Sequence, residues 1–187
     1  LVTSDAGCAD STTQVFTVEP LPVVDFTSVN ACEGTSIQLT NNSTSAIGIT
    51  SVDWTFGNGS VSTAFSPVVT YTNAGNYTIQ LNVTDANGCS ASTSGNVNIY
   101  PNPAVNFSTA DLCANSTVTL HNTSAVSSGS ISTYTWLFSN GTISNAVEPS
   151  GINFSNAGAY SVNLIAVTDH GCRDTAAGSF NVHPLPV

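Results

Sequence analysis

Val52-Asp53-Trp54-Thr55-Phe56-Gly57-Asn58-Gly59 and Tyr134-Thr135-Trp136-Leu137-Phe138-Ser139-Asn140-Gly141 are two renderings of one element. In each, a large apolar or aromatic side chain takes every second position, and the run stops at Asn-Gly. A period of two puts those side chains on one face of a strand, because successive residues of a strand point to opposite faces. Asn-Gly then supplies the backbone freedom of a tight turn.

The same reading extends outward. Ile37 and Leu39, then Tyr77, Ile79, Leu81 and Val83, alternate in the first half of the chain. Val118 and Leu120, then Tyr160, Val162 and Leu164, do so in the second. Turn residues separate these runs at Asn73-Ala74-Gly75, Asn87-Gly88, Asn156-Ala157-Gly158 and His170-Gly171. No segment carries a helical period. About seven short strands per unit, punctuated this regularly, predict an all-β chain of tandem immunoglobulin-like β-sandwiches. Trp54 and Trp136 are expected at the centres of the two cores, each with apolar neighbours on its own face.

The repeat is also visible as whole stretches. Val2–Pro20, Val83–Pro101 and Ala166–Pro184 each carry a Cys twelve residues before their final proline, and each runs into Pro-x-Pro at 20–22, 101–103 and 184–186. The period is about 82 residues, a length typical of one small sandwich. Pro-x-Pro favours extended, semi-rigid chain and reads as a linker. The expected organisation is residues 1–20 as the terminal strands of a truncated preceding module, 21–101 as one β-sandwich, and 102–187 as a second with the start of the next linker.

Composition narrows the function. Only 6% of residues are charged, Lys and Arg together number one (Arg173), and the net charge is -10. With no basic patch to neutralise phosphates, nucleic acid is excluded as a partner. No apolar run approaches the roughly 20 residues that span a bilayer, so direct membrane insertion is not expected.

Candidate chemistry is sparse. His121, His170 and His183 are too far apart in the expected topology to converge on a metal. No nucleophile stands beside a base and an orienting acid, so the chain is not read as an enzyme. No catalytic, cofactor-binding or metal residue is assigned, and no cofactor is expected. Calcium is the alternative kept open, at Asp85 and Asp169 in turns near module ends, where capping of the backbone is the favoured role.

Five cysteines occur, at 8, 32, 89, 113 and 172. Each full module has one before its second strand and one in the turn after its long penultimate strand. That placement suggests disulfides Cys32–Cys89 and Cys113–Cys172, with Cys8 unpaired by truncation, and hence an oxidising compartment.

Trp54-Thr55-Phe56-Gly57-Asn58-Gly59 with Ala74-Gly75-Asn76-Tyr77-Thr78-Ile79, and Trp136-Leu137-Phe138-Ser139-Asn140-Gly141 with Ala157-Gly158-Ala159-Tyr160-Ser161-Val162, resemble the PKD (polycystic kidney disease) domain. Its signature is similar to W-D-F-G-D-G followed by A-G-x-Y-x-V. Both signature aspartates are replaced, by Thr55 and Asn58 and by Leu137 and Asn140. The cysteines, the turn that contains Thr-Asp and Gly-Cys, and the Pro-x-Pro linkers resemble PKD repeats of giant cell-surface adhesins of Bacteroidota.

The resemblance implies a non-catalytic stalk or spacer of an extracellular or cell-surface adhesin or fibre, on the outer surface of a bacterium, linked to gliding or surface attachment. Its expected partners are neighbouring repeats of the same chain, other copies in a fibre, or surface polysaccharide. The alternative is a polysaccharide- or protein-binding accessory module of a secreted hydrolase.

Overall fold

The computed structural model describes residues 2–15 and 18–186. Leu1, Phe16, Thr17 and Val187, which fall within the expected first and last segments, lie outside the described residues. Every described residue is in strand, bridge, turn or irregular structure, as the alternation predicts.

The first sandwich is built on a long antiparallel hairpin, Gly75–Asp85 with Ser90–Tyr100. Ile49–Thr55 pairs with the first of these strands, and Val61–Ser62 extends the sheet beyond it. At the other edge Ala31–Cys32 runs parallel to the end of Ser90–Tyr100, with Cys32 opposite Tyr100. The facing layer pairs Phe26–Thr27 with Thr40–Asn41 and Ser36–Gln38 with Val68–Thr70, and a bridge joins Val23 to Thr44.

The second sandwich repeats this plan. Leu112–Cys113, Arg173–His183, Gly158–Thr168, Ile131–Phe138 and Ile143–Ser144 form the large sheet in that order. Phe107–Ser108 with His121–Asn122, and Thr117–Val118 with Ile152–Asn153, form the facing layer.

Alternation places the cores where the sequence predicts them. Ile37, Leu39, Trp54, Ile79, Leu81 and Val83 are buried between the first pair of layers, and Val118, Leu120, Trp136, Val162 and Leu164 between the second. Trp54 and Trp136 are 1% and 0% exposed, so both indoles are core groups. A buried indole N–H needs an acceptor. Trp54 Nε1 donates to the Ala64 carbonyl at 3.0 Å and Trp136 Nε1 to Ala146 at 2.9 Å. Phe26 and Phe107 meet the indoles edge-on, at centroid distances of 5.3 and 5.1 Å.

Those two phenylalanines also explain Gly95 and Gly178 in mid-strand. A Cβ at Gly95 would stand 3.0 Å from the Phe26 ring, and one at Gly178 would stand 2.8 Å from Phe107. Glycine is the residue that lets the ring lie this close to the strand.

The outer face of the first hairpin is laced by neutral side chains. Asn76 Nδ2 donates to Asn98 Oδ1 at 2.7 Å, Thr78 Oγ1 to Asn96 Oδ1 at 2.9 Å, and Thr84 and Ser90 share a bond of 2.9 Å. Cross-strand pairs of this kind stabilise a sheet by about 0.2–1 kcal/mol each.

Residues 2–15 form only one short hairpin. Val2–Thr3 pairs with Ala9–Asp10, and each described residue from 2 to 15 is exposed. No second layer covers this hairpin among the described residues, so its strands have no core to bury against.

The two expected intramodule disulfides do not form. Cys32 lies beside Tyr100 at one pole of the first sandwich, whereas Cys89 lies in the turn at the other end of Ser90–Tyr100. Eleven residues of strand separate Cys89 from Tyr100, about 36 Å at 3.3 Å per residue. A disulfide needs Cα atoms within about 7 Å. Cys113, opposite His183, and Cys172, in the turn before Arg173–His183, are divided in the same way. The bond that forms is Cys32–Cys172, between modules, with Cα atoms 5.6 Å apart. Cys8, Cys89 and Cys113 are free thiols.

Candidate functional site: the junction between modules

The junction joins the pole of the first sandwich that carries Cys32 to the turn of the second that carries Cys172. Its geometry follows from two local structures. The first is the pole. After Cys32 the chain turns through Gly34 in the left-handed region (φ 78°), where a side chain would be strained. Glu33 N–H then donates to the Tyr100 carbonyl at 2.9 Å, and Gly34 N–H to the Tyr71 carbonyl at 2.8 Å. These bonds hold Cys32 against the last residue before the linker.

The second is the turn. Thr168 N–H donates to the Cys172 carbonyl at 2.8 Å, and Cys172 N–H donates back to Thr168 Oγ1 at 3.1 Å. The same box appears at Asp85, where Oδ1 accepts from Cys89 N–H at 2.9 Å, and at Ser4, where Oγ accepts from Cys8 N–H at 3.3 Å. The structural equivalent of Asp85 is therefore Thr168, not Asp169, although a Thr-Asp pair occurs in both turns. What repeats is a side-chain oxygen four residues before the cysteine. An upstream bulge supports it: Thr50 Oγ1 donates to the Thr84 and Asp85 carbonyls, and Ser132 Oγ to those of Val167 and Thr168.

Between pole and turn, polar contacts fix the linker. Glu33 Oε1 accepts from Asn102 N–H at 3.0 Å, Asn102 Nδ2 donates to the Glu33 carbonyl at 3.2 Å, and Glu33 Oε2 accepts from Ala74 N–H at 3.2 Å. Pro101 and Pro103 are buried. The Tyr100 ring stacks on His170 with centroids 3.7 Å apart. Asp169 orients that imidazole through Oδ1 at 2.8 Å and accepts from Ser130 N–H and Oγ at 3.2 and 3.1 Å through Oδ2. Partial desolvation pushes the Asp169 pKa up, but the bonds from His170 and Ser130 outweigh it and hold the group below its usual 3.8. Gly129 leaves the space, since a Cβ there would fall 2.8 Å from Asp169 Oδ1.

A cleft of about 370 Å³ opens beside the linker, lined by Gly75, Asn98, Tyr100 and Pro101 of one module and Ser127 and Ser128 of the other. It gathers no cluster of acids, bases or nucleophiles.

The acids weighed for calcium act on the backbone. Asp85 is 1% exposed, and its Oδ1 caps Asn87 and Cys89 while Oδ2 has no hydrogen-bond partner. Asp169 binds Ser130 and His170, as above. No group of three or more His, Cys, Asp or Glu converges on a metal position among the described residues. His121 pairs with Glu148 at 2.6 Å and His183 with Asp111 at 3.4 Å, each away from the other histidines' partners. Asn58 and Asn140, which replace a signature aspartate, retain a turn role: their Oδ1 atoms accept from the N–H groups of Ser60 and Thr142, both at 3.0 Å.

The PKD domain profile matches this chain twice, over residues 18–99 and 100–182. The pre-pro-metalloprotease PrtV of Vibrio cholerae serotype O1 is 34% identical over 145 residues, covering 76% of this chain and 16% of that protein. The chain thus spans about one sixth of that relative's length. The solved PKD1 domain of Vibrio anguillarum Epp is 34% identical, covering 44% of this chain and 96% of that one with a TM-score of 0.41. The PKD1 domain of Vibrio cholerae PrtV is 37% identical, covering 43% and 98% with a TM-score of 0.39.

Proposed function

Because this chain belongs to the PKD domain family, in two tandem copies, we propose that it is a non-catalytic spacer, a stiff segment of an extracellular stalk in a bacterial surface adhesin or fibre. PKD domains are non-catalytic modules typical of extracellular or secreted proteins, and the disulfide fits an oxidising compartment.

The observation that carries the proposal is the junction. Tandem domains joined by short linkers ordinarily move relative to each other unless their interface is large and apolar. Here a covalent bond, a carboxylate clamp on the linker and an aromatic stack tie one module to the next. Such a device fixes direction and distance, which is what a spacer requires.

Small-angle X-ray scattering tests it. The oxidised chain is expected to give one sharp intermodule peak in its distance distribution. The Cys32→Ser/Cys172→Ser variant should give a broader one. A broad distribution in the oxidised chain would overturn the rigid-spacer reading.

The identity to a pre-pro-metalloprotease favours a second reading, an accessory module of a secreted hydrolase. Non-tryptic peptide sequencing outward from residues 1 and 187 separates the two. A hydrolase domain within a module or two supports the accessory role, whereas a series of similar cysteine-bearing modules supports the stalk.

A further inference from the structure

Cys113 and Cys89 occupy, in their own modules, the positions that Cys32 and Cys172 occupy in the bond. At the pole of the second sandwich, Ala114 N–H donates to the His183 carbonyl at 2.8 Å and Asn115 N–H to the Phe154 carbonyl at 2.9 Å, reproducing the bonds of Glu33 and Gly34. Asn115 is the one non-glycine described residue at positive φ (63°), matching Gly34. Ser116 N–H meets the Cys113 carbonyl at 3.1 Å, and Thr35 N–H meets that of Cys32 at the same distance. In the turn of the first sandwich, the bonds closing Asp85–Cys89 repeat those closing Thr168–Cys172.

Burial distinguishes the joined from the unjoined copies. Cys172 is 1% exposed in the junction, while Cys89 is half-buried. Cys32 is half-buried and Cys113 exposed. Pro101 and Pro103 are covered, while Pro184, Leu185 and Pro186 are exposed, Leu185 at 53%.

We propose that Cys113 and Cys89 are the two halves of a further intermodule disulfide, so that each end of the pair docks a module of the same kind: the pole at Cys113 takes a turn cysteine, and the turn at Cys89 takes a pole cysteine. The occupant follows from continuity with the existing junction, in which one such pole already holds one such turn. The contact is heterologous, turn to pole, and therefore propagates along one axis instead of closing on itself. Bond formation releases two protons and two electrons from the two thiols. A disulfide-bearing oxidant accepts them and is itself reduced to two thiols.

The proposal deepens the spacer reading, from which it takes the junction as the repeating unit. The test is independent of that reading's scattering test, because it reads which cysteines join and not how stiff one chain is. Two variants of the full chain remove thiols that are free in the structure: Cys8→Ser/Cys89→Ser leaves Cys113, and Cys8→Ser/Cys113→Ser leaves Cys89. Each is incubated alone, and the two together, with reduced and oxidised glutathione, and the products are sized by non-reducing electrophoresis and mapped by mass spectrometry of chymotryptic peptides.

The mixture is expected to give a Cys113–Cys89 heterodimer in about tenfold excess over either homodimer, a ratio equivalent to about 1.4 kcal/mol of preference. Homodimers forming as readily as the heterodimer, or no heterodimer in the mixture, would overturn the proposal. Circular dichroism of each variant confirms that the sandwiches are intact, so that a negative result counts against docking and not against folding.

Discussion

Stretching the chain from its two termini makes the Cys32–Cys172 bond measurable as length. Tension enters the first sandwich, reaches Cys32, crosses the sulfur bridge to Cys172 and leaves through Arg173–His183. Everything between the two cysteines is bypassed, a separation of 140 residues. At about 3.3–3.6 Å per extended residue, the bond withholds roughly 460–500 Å of contour. Single-molecule force-extension curves recorded before and after adding dithiothreitol should differ by that amount. The Cys32→Ser/Cys172→Ser variant should show the longer contour without reductant. Pairing within modules would instead withhold two separate lengths of roughly 190–210 Å each. Equal contours with and without reductant, or the two shorter steps, would refute the assignment of the bond.

Other outcomes follow from single side chains. Gly57 has φ 74°, and a Cβ there would sit 2.8 Å from the Thr78 carbonyl oxygen. Gly57→Ala should cost the first sandwich about 2–5 kcal/mol, combining left-handed strain with overpacking against backbone. Hydrogen exchange of Gly75–Tyr100 should accelerate while Gly158–His183 is unchanged; equal protection in both would contradict it. Asp85→Thr copies Thr168 and removes the orphaned buried Oδ2, so urea denaturation should show a gain of about 1 kcal/mol, and a loss would mean that the Asn87 contact matters more. Asp169 and Asp111 have pKa values held below 3.8, Asp111 chiefly by the Asn181 N–H. A depressed folded pKa gives stability that is present above the unfolded value and lost as pH falls through the folded one. The thermal midpoint should therefore drop as the pH falls through and below 3.8, and less so in Asp111→Asn/Asp169→Asn. Parallel curves for the two proteins would assign the drop to other groups.

The cores were readable because their signal is local. Trp54, Trp136 and their neighbours two residues away declare a buried face without reference to any other part of the chain. The turns at Asn58-Gly59 and Asn140-Gly141 were equally plain. The disulfide was not, because cysteine spacing reports loop length and not which pole of a sandwich a cysteine occupies. A partial clue existed: Cys89 precedes Pro101 by twelve residues, which in extended chain places its turn far from the linker. The missing fact was the parallel pairing of Ala31–Cys32 beside Tyr100, a long-range contact that leaves no periodic trace. The shared Thr-Asp invites a match of Asp85 to Asp169, but the fold aligns Asp85 with Thr168 through the oxygen that caps the cysteine N–H.

The amide and hydroxyl pairs along the outer face of Gly75–Asp85 and Ser90–Tyr100 carry no formal charge, and each ion pair among the described residues includes a histidine. Dissolved ions shorten the reach of charges, from about 8 Å at physiological ionic strength to about 3 Å at 1 M, and leave neutral hydrogen bonds largely untouched. The self-repulsion of a net charge of -10 is the term that counter-ions relieve, and relieving it favours the compact state. A segment made this way keeps its shape from fresh water to brine.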